Sequence, residues 1–363
     1  MMTKTARGAG SGTWASVLLA LLAVTAFASG QVVENPAKPK AKNAGRVLKL
    51  TEVWKITDEG GEFFFKYPNS LQVADDGTLF LAESKQFLKF SSDGKFLKNI
   101  YKKGQGPGEI GDYFTFYIHG RDLFVQDMNS QRLWRTNFDG VFQEQVILKN
   151  KDYSGFLGVL PDGFLFLKSV WPPPSERTGK LMEILNTVVL VARDGSEQRD
   201  IATFKPKNFL FPQGAMGWDS AITILSPDAK LLYAFHGRDY LIEIVDLASG
   251  EIIKMFNRAY PKVPHIEPDW ESDYRKKYGT PKREYETDVN SLYLVGGNLW
   301  VETSTNDKTK GQLIDVFDRD GRFLDGFYLG AGRTLMAVRK DAVFCREKNE
   351  DESIFLVKYR IDK

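Results

Sequence analysis

The chain has 363 residues, 42% hydrophobic and 26% charged, with a formal net charge of +2. That length suits two average domains or one large repeat fold. The near-neutral charge argues against a basic surface for nucleic acid. The single cysteine, Cys345, rules out an intrachain disulfide and sits in an apolar stretch as a small core residue.

In chain order, Lys4 and Arg7 precede the apolar run WASVLLALLAVT and the small residues Ala26 and Ala28. This pattern predicts a secretory signal peptide over residues 1–28, and hence a secreted or periplasmic protein. The run is twelve residues long, shorter than the ~20 that a spanning helix needs, so no membrane span is expected in the mature form. Cleavage would remove Lys4 and Arg7. Residues 29–45, rich in Pro, Lys and Ala, read as a flexible linker.

From residue 46 onward one unit recurs: an alternating strand, a tight turn, and a second strand. Its copies include LQVADDGTLFLAES, FYIHGRDLFVQD, LGVLPDGFLFLKS and LYLVGGNLWVET. Six turns stand at Gly77, Gly120, Gly163, Ala229, Gly297 and Ala342, spaced by 43, 43, 66, 68 and 45 residues. A second turn such as SSDG, NFDG or DRDG follows each of the first five. Asp-Gly between alternating strands marks a hairpin, because glycine takes positive φ without steric cost. Two hairpins in about 43 residues have the spacing of a propeller blade.

The expectation is an all-β six-bladed β-propeller over 46–363, with four-stranded antiparallel blades. The blades fall near 70–105, 112–150, 154–204, 218–258, 288–328 and 334–363. The last copy lacks its fourth strand, and VLKLTEVWKI near the N-terminus has no partner. Pairing them would close the ring and remove two open edges.

Between the first two blades, Gly106-Pro107-Gly108-Glu109-Ile110-Gly111 spells GxGxxG. A dinucleotide-binding turn needs a helix next. DYFTFYI alternates as a strand instead, and Pro107 removes an amide from the supposed cradle. The glycines therefore read as a bent path between blades. Glu109 would accept backbone amides there, and it remains a ligand-binding candidate because of the face it occupies.

Residues 103–109, KGQGPGE, and 124–133, FVQDMNSQRL, resemble secreted bacterial six-bladed propellers with a GxGPGE motif, related to NHL-repeat proteins. The resemblance covers almost all of the mature chain and implies the fold more than any chemistry. Related sugar-lactone hydrolases use a channel metal, and streptogramin-lyase-like propellers a histidine base. His265 is the matching candidate for the base.

Three long insertions explain the wide spacings: 170–186, 205–217 and 259–287. Blade connectivity puts all of them on one face, where loops on a rigid scaffold carry binding. They bring Trp171, Phe209, Phe211, Trp218, Trp270, Tyr274 and Arg275, a mixture typical of recognition surfaces. The same aromatics could instead form a private core. WESDYRKKY could form a short helix with a Glu271–Arg275 pair at i,i+4 spacing. Glu83, Asp127 and Glu347, at second-strand ends of neighbouring blades, are candidate ligands for Ca²⁺, although Asp127 has Arg132 as a closer partner.

The leading expectation is a binding or scaffold module for a protein, peptide or carbohydrate ligand on the inserted-loop face. The alternative is a metal-assisted lyase or hydrolase at the channel mouth.

Overall fold

The computed structural model describes residues 32–58, 60–83 and 85–362; the expected signal peptide lies outside them. The fold is all-β, with one α-helix, Asp269–Tyr278, and one short 3₁₀ turn among the described residues.

Six antiparallel sheets follow the repeats. Sheet one comprises Ser70–Val73, Leu79–Glu83, Gln86–Phe90 and Phe96–Asn99. Sheet two comprises Phe114–His119, Asp122–Asp127, Arg132–Asn137 and Phe142–Ile147. Sheet three comprises Tyr153–Leu160, Gly163–Val170, Leu185–Val191 and Glu197–Phe204. Sheet four comprises Ser220–Leu225, Leu231–Gly237, Leu241–Asp246 and Ile252–Arg258. Sheet five comprises Val289–Val295, Asn298–Asp307, Gly311–Phe317 and Phe323–Tyr328. Sheet six comprises Arg333–Arg339, Ala342–Lys348 and Ile354–Ile361, with Leu50–Ile56 antiparallel to the last.

The second strands are buried on both faces, as in Leu79-Phe80-Leu81-Ala82-Glu83. Their side chains fill two cores at once, so these strands read as apolar runs rather than alternations. One core lies between each pair of successive sheets. Phe80, Phe87, Phe116 and Trp134 join sheets one and two. Phe344 and Leu356 of sheet six pack with Leu79, Leu81, Leu88 and Phe90 of sheet one. Cys345 is fully buried in the core between sheets five and six, and burial pushes its thiol up to about 12. It is a packing residue.

The second-hairpin turns need glycine for a reason beyond φ. A Cβ on Gly94 would meet Trp54 at 2.9 Å, and one on Gly140 would meet Ile100 at 3.0 Å. Each turn presses on the outer strand of the preceding sheet, and the first of these contacts joins sheet one to sheet six.

Residues 32–45 were expected to belong to a flexible linker; the structure lays them on the sheets. Val32–Asn35 pairs in parallel with Ile252–Arg258, and Arg46–Val47 with Phe323–Tyr328. Asn35 ties the arm down. Its amide donates to Asn257 O and Gly321 O, both at 2.8 Å, and its Oδ1 accepts from Phe323 N at 2.8 Å. Arg46 adds a bidentate pair to Asp325 at 2.8–2.9 Å. A Pro- and Lys-rich composition suggested a linker because the backbone partners lie more than 200 residues away.

Candidate ligand-binding face

The three insertions build a cap. Lys180–Glu183, Lys207–Phe211 and Gly214–Gly217 form a separate three-stranded sheet, which packs against the helix Asp269–Tyr278. Phe209 and Phe211 are only 2% and 5% exposed and form its core with Met216. Phe211 stacks on Tyr278 at 4.1 Å. These two phenylalanines, expected to contact ligand, instead hold the cap together, because the insertions are long enough to bury their own apolar side chains. Trp218 is half-buried between the guanidinium groups of Arg238 and Arg283, 5.1 and 5.4 Å from its ring. Trp171, Trp270 and Tyr274 remain exposed.

The expected helix is present, but its expected ion pair is replaced. Arg275 makes a bidentate pair with Glu267 at 2.8–2.9 Å. Glu271 turns inward to His265 Nε2 at 3.0 Å and lies 3.4 Å from Arg283. Glu286 takes His265 Nδ1 at 2.8 Å. With both ring nitrogens engaged by carboxylates and the side chain 7% exposed, His265 anchors the cap and is badly placed to act as a base. His236 stacks on Phe204 at 4.0 Å, and burial holds it down at about 4, so it is neutral.

The three proposed metal ligands each have separate work. The Glu83 carboxylate accepts from the amides of Lys66 and Tyr67 at 2.8–3.1 Å. Asp127 pairs with Arg132 at 3.1 Å, with both side chains buried. Glu347 accepts from Tyr359 OH at 2.6 Å and Arg333 Nε at 3.2 Å. Among the described residues, no group of three or more His, Cys, Asp or Glu side chains is placed to hold a metal ion.

The glycine loop docks on the Asp127–Arg132 pair. Arg132 Nη1 donates to Gln105 O, and its guanidinium lies 4.7 Å over Trp134. A Cβ on Gly111 would stand 2.9 Å from Asp127 Oδ1. Glu109 turns into its own loop and accepts from Gly106 N at 2.7 Å; a Cβ on Gly104 would collide with that carboxylate. Glu109 is therefore a loop brace. The two motifs that looked separate in sequence form one structural unit.

That unit borders an open surface. A cleft of about 660 Å³ lies beside the loop, over sheets one and two. Tyr67 and Tyr113, 66% and 70% exposed, flank it. Both are pinned by their backbones: Tyr67 N donates to Glu83, and Tyr113 O accepts from Met128 N at 3.0 Å. Arg346 steadies Tyr67 further by donating to Pro68 O at 3.1 Å. Asn69, Asp112, Thr115 and Asn129 add polar groups to the wall. The hydrogen bond from Lys103 holds the Asp112 carboxyl below its usual range. Sequence reasoning overlooked these residues. Their signal was the position of Tyr113, two places beyond the last motif glycine.

A TolB-like 6-blade propeller-like family matches residues 51–341. A Bacteroides fragilis protein described as exported has a similar structure, with a TM-score of 0.57 at 14% identity, covering 92% of this chain and 100% of its own. A DUF4221-family member from Bacteroides vulgatus gives a TM-score of 0.52 at 10% identity, covering 88% and 99%. No curated protein matches the chain.

Proposed function

The chain belongs to the TolB-like six-blade propeller family, and on that premise we propose that it is a binding module working outside the cytoplasm. The six sheets are the blades, and Leu50–Ile56 closes the ring by completing the sixth. The partner is a polypeptide held in the cleft over blades one and two. The observation that carries this reading is the pair of exposed tyrosines on pinned backbones, Tyr67 and Tyr113, beside a polar wall. Tyr and Asn together give large, rigid contact area with adaptable hydrogen bonding at low entropic cost. The secretory pattern of residues 1–28 supports export.

The test is selection of a displayed random-peptide library on the full chain. Peptides so selected should lose roughly tenfold in affinity, about 1.4 kcal/mol, on Tyr113→Ala and on Tyr67→Ala. Trp270→Ala and Trp171→Ala on the cap should leave them bound. The reverse pattern would move the site to the cap and sink the cleft reading.

A further inference from the structure

The N-terminal arm marks a groove that the fold builds more than once. Asn35 lies where the outer strand of sheet four meets the second hairpin turn of sheet five. Its amide reaches Asn257 O and Gly321 O, and its Oδ1 reaches Phe323 N. A carboxamide suits this place because it carries both donors and an acceptor. Phe323, beneath the arm, is 3% exposed.

The outer strand of sheet one and the second turn of sheet two repeat that frame. Residues 137–142, NFDGVF, match residues 318–323, DRDGRF. Both turns close with the same bonds. Gly140 N donates to Asn137 O at 2.9 Å and Asn137 N to Val141 O at 3.1 Å; Gly321 N donates to Asp318 O at 3.0 Å and Asp318 N to Arg322 O at 3.1 Å. The register then shifts at the same place, with Phe142 opposite Thr136 and Phe323 opposite Phe317. Each glycine presses on the preceding sheet, where a Cβ on Gly140 would meet Ile100 and one on Gly321 would meet Phe256. Lys98 donates to Asp139 O at 2.7 Å across the first joint, and Lys254 to Asp320 at 2.8 Å across the second. The groups that hold Asn35 therefore have counterparts in Gly140 O and Phe142 N.

The first groove stands open. Among the described residues, no loop or side chain bonds to Gly140 O or Phe142 N. A cavity of about 260 Å³ lies there, lined by Lys98, Asn99, Ile100, Lys102, Gly140 and Phe142, and the glycine loop adds wall through Pro107 and Gly108. Phe142 is 36% exposed and Gly140 is half-buried, so solvent reaches the frame. The arm pairs with Met255–Arg258. Counted from the matching lysines, Lys254 and Lys98, those places are residues 99–102. Lys98 and Lys102 outnumber Asp139 in the lining, so the groove favours an acidic segment. The arm itself carries Glu34 before Asn35.

We propose that the groove between the rims of sheets one and two docks an extended segment of another protein, with the chemistry of the arm: β-branched residues, then an acidic residue and an asparagine. The segment adds a parallel strand beside residues 99–102. Its asparagine amide donates to Gly140 O, and its Oδ1 accepts from Phe142 N. The chain's own arm is committed to sheets four and five, so the occupant comes from a different chain. The groove shares no lining residue with the cleft beside Tyr67 and Tyr113.

The probe is the arm's own sequence, residues 32–39, as the capped peptide acetyl-VVENPAKP-amide, titrated by NMR into the isotopically labelled full chain. The amide signals of Gly140 and Phe142 should shift on binding. Asn35→Ala in the peptide should weaken it about tenfold, and Glu34→Lys in the peptide should weaken it several-fold. In the chain, Phe142→Pro removes the donor at an edge position, where proline is tolerated, and should also cost about tenfold in affinity. The peptide variants decide the matter if Phe142→Pro disturbs folding. Absence of shifts, shifts confined to residues 252–258 and 321–328 through displacement of the arm, equal binding of the alanine peptide, or loss on Tyr113→Ala would each overturn the proposal.

Discussion

The cap over sheets three to five and the glycine loop beside sheets one and two make opposite use of their aromatics. The cap is built from three insertions packed on one another, and it hides Phe209 and Phe211 in a core of its own. The connectors on either side of sheet one, residues 57–69 and 100–113, join no sheet of their own, and they leave Tyr67 and Tyr113 in solvent. Insertions that pair with one another supply the second layer that buries large side chains. A lone connector has no such layer, so a ring that points away from the sheets stays exposed. Aromatic content alone is therefore a poor guide to a recognition surface.

The largest effect expected is at the glycine loop. Asp127→Ala would leave Arg132 buried without its carboxylate, costing about 3–5 kcal/mol. Chemical denaturation should show the loss, and hydrogen exchange should show residues 105–113 opening while the cap stays protected. Continued protection of that loop would mean that the ion pair does not hold the cleft.

Phe211→Ala should cost about 3–4 kcal/mol through the cavity it leaves. Exchange should rise in residues 207–217 and 269–278 alone. If the cleft also loosens, the two regions are not separate.

The scaffold between them can be tested by pH. Glu302, in the second strand of sheet five, accepts from Tyr293 OH at 3.1 Å, and burial pushes its carboxyl up to about 7. Against an unfolded value near 4.3, the fold favours the protonated form. Its contribution is complete below about pH 4 and is lost as pH rises through 7. Glu302→Gln should therefore gain on the wild type by about 2–3 kcal/mol between pH 5 and pH 8. Thermal melts across that range check this, and one shared transition would show both regions riding on one scaffold.

The smallest effect belongs to Trp270→Ala. This exposed side chain should change stability by no more than about 0.5 kcal/mol in a thermal melt. A larger loss would place Trp270 in the structure of the cap.

Much of the fold was legible because hairpins are local. The turns at Gly77, Gly120 and Gly163, and the helix around Asp269–Tyr278, lie where the chain itself predicts them. Partners distant in sequence were harder to read. Glu271 was matched with Arg275 by helical spacing, yet it meets His265 and Arg283 because the helix turns that face inward. Glu83 and Glu347 were grouped by their places in the repeat, while each carboxylate was already engaged by nearby donors.

By itself, the sequence determined the repeating hairpins and the all-β class, since turn chemistry and hydrophobic runs act over a few residues. Only the tertiary structure decided which aromatics face water and that the N-terminal arm covers Arg258 and Asp315. Those outcomes depend on which surfaces meet after the strands have formed. Burial and charge pairing across more than 200 residues leave no mark in local spacing.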